Sequence, residues 1–148
     1  SVISLKKTVR NATRENGALR EPFQKMITIQ TGEIAEFRIE LTAINRKGRE
    51  ATLELRDYLD SGVRVDETKI KFEVIPQEGG EIRKPERWIN YEPLEFVLKP
   101  EAKEVKLVIL FEGEIGLSPK KFLTNKIEVK PEGEEERHEA KAHLIVVN

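Results

Sequence analysis

The amino-acid sequence predicts an all-β protein, an antiparallel β-sandwich of eight or nine short strands. Apolar and polar residues alternate with a period of two along most of the chain, which separates the two faces of a β-strand. Gly, Pro, Asn and Asp divide these runs into short pieces, as turns between strands do. No stretch keeps a helical period for more than a few turns. We therefore assign residues 1–148 to one sandwich domain, which is long enough to bury a sizeable core.

The first part of the chain contains three predicted strands. The first runs over Val2–Val9, residues 10–25 predict a loop or short helical turn, and Met26–Ile29 begins a strand pair that turns at Thr31-Gly32. The inward residues are apolar apart from one lysine: Ile3, Leu5, Lys7 and Val9 in the first strand, and Ala35, Phe37, Ile39, Leu41 and Ala43 in the long third strand.

The remaining strands repeat the pattern. A turn at Asn45–Gly48 leads into a strand over Ala51–Tyr58, and residues 76–93 predict a long connection. The inward positions are again mostly apolar: Leu53, Leu55, Asp57, Leu59, Val63, Val65, Ile70, Phe72, Val74, Leu94, Phe96, Leu98, Val105, Leu107, Ile109, Phe111, Leu123, Asn125, Ile127, Val129, Ala142, Leu144 and Val146. Short strands at this spacing predict an immunoglobulin-like sandwich.

Composition argues against several classes of function. The 26 Lys and Arg residues are balanced by 27 Asp and Glu, so the chain lacks the basic surface that nucleic acids or anionic membranes bind. No apolar run approaches the roughly 20 residues that span a bilayer. Without cysteine there is no disulfide and no thiolate metal site. We expect no nucleic-acid partner, no membrane insertion, no metal and no cofactor. The first residues form no secretory signal and include no initiator Met, so we expect a fragment of a longer chain.

Three polar residues stand on otherwise apolar faces: Lys7, Asp57 and Asn125. Burying an isolated ammonium or carboxylate costs several kcal/mol, so such groups must pair, become neutral or react. Burial lowers the pKa of a lysine and raises that of an aspartic acid, which favours the neutral amine and the protonated acid. The simpler interpretation is a Lys7–Asp57 salt bridge beside an Asn125 bonded to backbone. A register shift of one residue would replace Lys7 by Lys6.

Several short motifs occur in order along the chain: Lys7-Thr8-Val9, Thr31 to Leu41, Leu55 to Val63, Leu94 to Leu98 followed by Glu101-Ala102-Lys103, and Asn125 to Val129. Together they resemble the motifs of immunoglobulin-like repeat and pilin-type domains of bacterial and archaeal cell-surface proteins. The third is similar to the D-x-L-P-x-G-V turn of these domains, with Asp60 in place of proline. The similarity spans residues 2 to 147.

The resemblance implies a structural and adhesive module of an extracellular stalk or pilus at the cell surface. Its partners would be neighbouring domains of the same long chain. In the crosslinked members, a Lys, an Asn and an Asp or Glu form an intramolecular isopeptide bond without another enzyme. The matching residues are Lys7 and Asn125 as the crosslink and Asp57 as the promoting acid. No nucleophile elbow, phosphate-binding loop or metal triad occurs, so we expect at most this single-turnover reaction and no turnover enzyme.

Two other functions fit the same fold. The first is an uncrosslinked extracellular module that binds a glycan or protein ligand, from a host or a cell surface, through Trp88 and Tyr91. The same two residues could instead cap the open end of the sandwich. The second is an intracellular or periplasmic scaffold.

The other polar groups are interpreted as structural. His138 and His143 are five residues apart in a strand and point to opposite faces, which does not suit a shared metal. The acidic run from Glu132 to Glu136 predicts a solvated hairpin, and the sequon at Asn11 is read as a chance occurrence.

Overall fold

Two β-sheets pack face to face around one core in the computed structural model, which describes residues 2–13, 21–101, 103–117 and 120–148. The predicted all-β sandwich is confirmed, with two short 3-10 helices at Glu67–Lys69 and Gln77–Gly79. The strands within the described ranges are β1 (Val2–Asn11), β2 (Met26–Gln30), β3 (Ile34–Ile44), β4 (Ala51–Leu59), β5 (Val63–Val65), β6 (Lys71–Ile75), β7 (Gly80–Arg83), β8 (Leu94–Leu98), β9 (Glu104–Ile115), β10 (Phe122–Pro131) and β11 (His138–Val147).

The first sheet has the order β1-β3-β9, and both β5 and β6 pair with the far edge of β9. The second sheet has the order β2-β11-β10-β4-β8-β7. The strand pairs are antiparallel, except that β2 runs parallel to β11. The chain enters at Val2, opposite Ile44 at one end of the sandwich, and β11 ends at Val147 beside Gln30 at the other end.

The core follows the predicted alternation closely. The five inward residues of β3, from Ala35 to Ala43, are fully buried. The rings of Phe37 and Phe111 pack at 5.2 Å between centroids in the middle of the first sheet. Each large apolar side chain buried in this way contributes about 1.5–3 kcal/mol to folding. The inward faces therefore form an apolar interior, in which a buried polar group needs a hydrogen-bond partner.

The expected pairing of β2 with β3 is wrong. The turn at Thr31-Gly32, where Gly32 has φ 89°, carries the chain from one sheet to the other. Both edges of β3 are already occupied, by β1 and by β9, so no edge is left for β2. Strand β2 pairs instead with β11, and its inward residues Ile27 and Ile29 extend the second sheet.

The long connection predicted over residues 76–93 contains a strand. Residues Gly80–Arg83 form β7, which pairs with β8 at the edge of the second sheet. A Cβ at Gly80 would collide with the Phe96 ring, so this close approach requires glycine. With β7, and with β5 and β6 separated by a 3-10 helix, the described chain has more strands than the eight or nine predicted. Residues 14–20, in the middle of the predicted 10–25 loop, lie outside the described residues.

Trp88 anchors the remainder of this connection to the core. Its side chain is fully buried, and its indole Nε1 donates a 2.9 Å hydrogen bond to the Leu55 carbonyl. The Glu67 carboxylate accepts hydrogen bonds from the backbone N–H groups of Trp88 and Ile89. Trp88 therefore cannot contact a ligand, which corrects the ligand-binding prediction for this residue. Tyr91 is 57% exposed, and its role as a ligand contact stays a prediction.

Replacing Trp88 with alanine is expected to lower the free energy of unfolding by about 3–5 kcal/mol, the usual cost of deleting a buried aromatic side chain. Urea denaturation followed by circular dichroism measures it. The exposed Tyr91→Ala variant serves as the control and should change stability by less than about 0.5 kcal/mol. Equal losses in both variants would contradict the assignment of Trp88 as the core anchor.

Candidate functional site

Lys7, Asp57 and Asn125 meet inside the sandwich. Lys7 lies on β1 of the first sheet, whereas Asp57 and Asn125 lie on the neighbouring strands β4 and β10 of the second. In the β4–β10 register Asp57 stands opposite Ile127, two residues from Asn125, so the two side chains are diagonal neighbours on the inward face. Each of the three residues is only 1% exposed. The site therefore bridges the two sheets.

The Asp57 carboxylate connects the amine to the carboxamide. Lys7 Nζ donates to Asp57 Oδ2 at 2.6 Å, and Asn125 Nδ2 donates to Asp57 Oδ1 at 2.7 Å. Asn125 Nδ2 also donates to the Tyr58 carbonyl at 3.0 Å. Lys6, the sequence alternative, lies on the outer side of β1 and is exposed. The register thus brings Lys7 to the acid, and not its neighbour.

Apolar and aromatic groups surround the amine. Lys7 Nζ lies 5.1 Å from the centre of the Phe111 ring and 5.8 Å from that of Phe37. Burial lowers the pKa of the Lys7 amine, against the charge and hydrogen bond of Asp57, which raise it. Because burial is the larger effect, the pKa of the Lys7 amine lies below its ordinary value. The uncharged amine is the form of lysine that acts as a nucleophile.

The Asn125 carboxamide is only half satisfied. Its Oδ1 is buried and has no hydrogen-bond partner among the described residues. A buried polar atom without a partner costs about 1–3 kcal/mol, so its persistence calls for a physical cause. Rotation of the amide would turn Oδ1 toward Asp57, and a protonated Asp57 would then be the missing donor.

Asn90 fixes the end of β4 beside the site. Its side chain pairs with Leu59 as a strand would, since Nδ2 donates to the Leu59 carbonyl and Oδ1 accepts from the Leu59 N–H. Its own N–H donates to the Asp57 carbonyl at 2.8 Å. Asn90 has φ 67°, a left-handed conformation that asparagine tolerates better than most residues. Sequence reasoning missed Asn90, because an asparagine within a connection gives no signal about the strand it will meet.

The other polar residues have structural contacts. His138 faces inward on β11, whereas His143 faces outward and stacks on Phe122 at 5.1 Å between ring centroids. Asn11 of the sequon donates to Glu33, and its Oδ1 accepts from the Thr13 N–H. Across the described ranges, no group of three or more His, Asp or Glu residues is placed to hold a metal.

The described residues include no helix of the length and apolarity that crossing a bilayer requires.

Neither the protein-family models nor the curated proteins contain a match to this sequence. Solved structures do match its fold. The C-terminal domain of the AgI/II polypeptide BspA of Streptococcus agalactiae superposes with a TM-score of 0.62 at 10% identity, covering 96% of this chain and 49% of that one. BcpA, the major pilin subunit of Bacillus cereus, gives a TM-score of 0.61 at 11% identity, with coverages of 99% and 41%. The RrgB pilus protein of Streptococcus pneumoniae gives 0.58 at 11% identity, with coverages of 88% and 23%.

The chain thus spans half or less of the length of these three proteins. At such low identity the likeness establishes the fold, which is the immunoglobulin-like sandwich of bacterial pilin and adhesin domains, as the sequence motifs predicted.

Proposed function

We propose that this domain is a structural module of a cell-surface stalk or pilus, tied internally by an isopeptide bond between Lys7 Nζ and Asn125 Cγ. The observation that carries the proposal is the contact of a buried amine, a buried acid and a buried carboxamide at 2.6 Å and 2.7 Å. The pilus proteins that share the fold support the wider setting.

The reaction begins with a proton transfer along the Lys7–Asp57 hydrogen bond. This transfer converts two buried charges into a neutral amine and a protonated acid, which the low-dielectric interior favours. Asp57 then donates a hydrogen bond to Asn125 Oδ1, where negative charge develops as Lys7 Nζ attacks Cγ.

Collapse of the intermediate completes the exchange of amides. The Cγ–Nδ2 bond breaks, and Asp57 relays the proton that Lys7 loses to the departing nitrogen. One C–N bond forms, one breaks, and one ammonia leaves. The folded core supplies the proximity, which for well-oriented groups corresponds to an effective molarity of roughly 10⁵ M or more.

The position of the bond suits a module under tension. Val2 and Val147 lie at opposite ends of the sandwich, so a pull on the two ends loads it lengthwise. The crosslink would join β1 of one sheet to β10 of the other. In a chain without cysteine it would serve where a disulfide serves in other extracellular domains.

Intact mass spectrometry of the purified chain tests the bond directly. We expect the mass to fall short of the sequence mass by one ammonia, and tandem spectra to show a branched peptide joining Lys7 to Asn125. Asp57→Asn keeps the shape of the site but removes the acid, so this variant should retain the full mass. Lys6→Ala, the neighbouring lysine, should still lose ammonia.

Two results would count against the proposal in different ways. A full mass in the folded wild-type chain would show that the crosslink does not form and that the site is a buried salt bridge. Ammonia loss in Asp57→Asn would show that the crosslink forms without Asp57 as its acid.

Tyr91 favours a second candidate function, the binding of a glycan or protein ligand. Its exposed ring carries the Arg87 guanidinium at 4.0 Å and borders a cavity of about 360 Å³ that Val63 and Ile89 also line. An aromatic face beside polar groups suits a sugar ring. A glycan-array screen should then show a saturable ligand that Tyr91→Ala loses. Binding that is unaffected by this substitution would contradict the site.

A further inference from the structure

The outer face of the second sheet carries a cluster of exposed apolar side chains. Met26, Phe122, Ile145 and Val147 each remain between 36% and 51% exposed. The register places Phe122 opposite Ile145 and His143 opposite Met26, so the apolar groups adjoin one another across β2, β11 and β10. We call this cluster, together with His143, the outer patch. Contiguous exposed apolar surface of this kind is typical of interaction sites.

The aromatic centre of the outer patch is held in place. The Phe122 and His143 rings stack with an interplanar angle of 20°. A 3.1 Å hydrogen bond between Thr124 Oγ1 and His143 Nδ1 fixes the imidazole against β10. Rigid aromatic groups lose little entropy on binding, which makes them effective anchors at interfaces.

A row of lysines borders the outer patch. Lys126 stands directly opposite Lys141, an arrangement of like charges that destabilises a sheet. Lys25 lies close by, since its carbonyl accepts a hydrogen bond from the His143 N–H. Within the part of the chain that the structure describes, none of these three lysines forms an ion pair, although Lys126 lies 4.8 Å from the centre of the Tyr58 ring.

The next row of the same face is acidic. Glu128 stands opposite Glu139, and Glu128 has a counter-ion in Arg137 at 3.9 Å. The surface is therefore banded, with an apolar zone, then a cationic row, then an acidic row. Because the chain as a whole has a net charge of −1, this segregation is local and does not follow from composition.

We infer that the outer patch and its lysine row bind an acidic segment of a partner protein that carries large apolar side chains. The apolar side chains would cover Met26, Phe122 and Ile145, and the carboxylates would supply the counter-charge that Lys126 and Lys141 lack. An acidic polysaccharide could neutralise the lysines but has no apolar groups for the patch. The inference does not depend on the isopeptide bond.

Selection from a random peptide library displayed on phage, with the whole folded chain immobilised, tests this inference. We expect enriched peptides to combine an excess of Asp and Glu with at least one large apolar residue. Their binding should fall at least about tenfold in Phe122→Ser and in the double variant Lys126→Glu/Lys141→Glu, because a tenfold loss is about 1.4 kcal/mol and central anchors of an interface commonly contribute more than that.

Matched controls lie on the other sheet. Ile75→Ser removes an apolar side chain of similar exposure, 47%, and Lys106→Glu reverses a charge there, so neither should change binding by more than about twofold. Nuclear magnetic resonance of the unsubstituted chain with a selected peptide should shift the amides of β2, β10 and β11.

Several outcomes would overturn the inference. Selected peptides without an acidic excess, or a selection that enriches no peptide sensitive to the patch variants, would do so. So would shifts confined to other strands. If the chain bound heparin or phosphatidylserine vesicles more strongly than the selected peptides, and this binding were lost in Lys126→Glu/Lys141→Glu but kept in Phe122→Ser, the patch would be a general polyanion surface instead.

Discussion

Replacing Lys7 with methionine is expected to lower the free energy of unfolding by about 4–5 kcal/mol. A crosslink from Lys7 to Asn125 closes a loop of well over 100 residues, which under the chain-entropy treatment of disulfides stabilises the fold by about 4–5 kcal/mol. Without the bond, the same substitution would instead leave Asp57 buried without its counter-ion, an effect of about 3–5 kcal/mol when a buried pair is broken. Urea denaturation of the purified variants measures the change.

Two further variants separate the bond from the salt bridge. Lys6→Met changes the exposed neighbour on the same strand and should leave stability within about 0.5 kcal/mol of wild type. Asn125→Ala keeps the Lys7–Asp57 pair but removes the electrophile, and should cost about 4–5 kcal/mol if the bond forms. A loss of only about 1–3 kcal/mol in Asn125→Ala, the cost of its hydrogen bonds, would contradict the crosslink.

The inward orientation of Lys7, Asp57 and Asn125 was predictable from the alternation of residues. In a strand the face of a side chain depends on the parity of its position, so an inward lysine between Leu5 and Val9 follows from the sequence alone. The contact between the three residues does not follow from parity. The contact also requires that β1 of the first sheet faces the neighbouring strands β4 and β10 of the second sheet, and this depends on the order of strands in the two sheets.

Strand pairing and the connection were less accessible to prediction. Short-range order favoured a hairpin of β2 with β3, but β1 and β9 occupy both edges of β3 through contacts distant in sequence. The segment that holds Trp88 is fixed by Glu67, whose carboxylate accepts hydrogen bonds from backbone N–H groups about twenty residues later in the chain. Neither residue type carries a periodic signal, because a single side chain that caps a loop has no repeat to detect.

The proposed bond would set the path of force through the domain. With the bond in place, a pull on Val2 would pass along β1 to Lys7, cross to Asn125 on β10, and continue through the β10–β11 hairpin to Val147. Residues 8–124 lie outside this path when the bond is present. Residues 126–148 lie on it, so shielding is partial and the C-terminal hairpin is the segment expected to yield first.

Stretching single molecules by their two ends should therefore give two very different extensions. Asn125→Ala should extend roughly 400 Å further than the crosslinked wild-type chain. The difference comes from residues 8–124, at about 3.5 Å each, which can be stretched in the variant but lie inside the crosslinked loop of the wild type. Lys6→Ala, which keeps Lys7 and Asn125, provides the matched control and should extend as little as wild type. Full extension of the wild-type chain at the same force would contradict the bond. A short extension in both wild type and Asn125→Ala would show that the barrier to stretching comes from strand packing, since the variant has no electrophile for Lys7 to join.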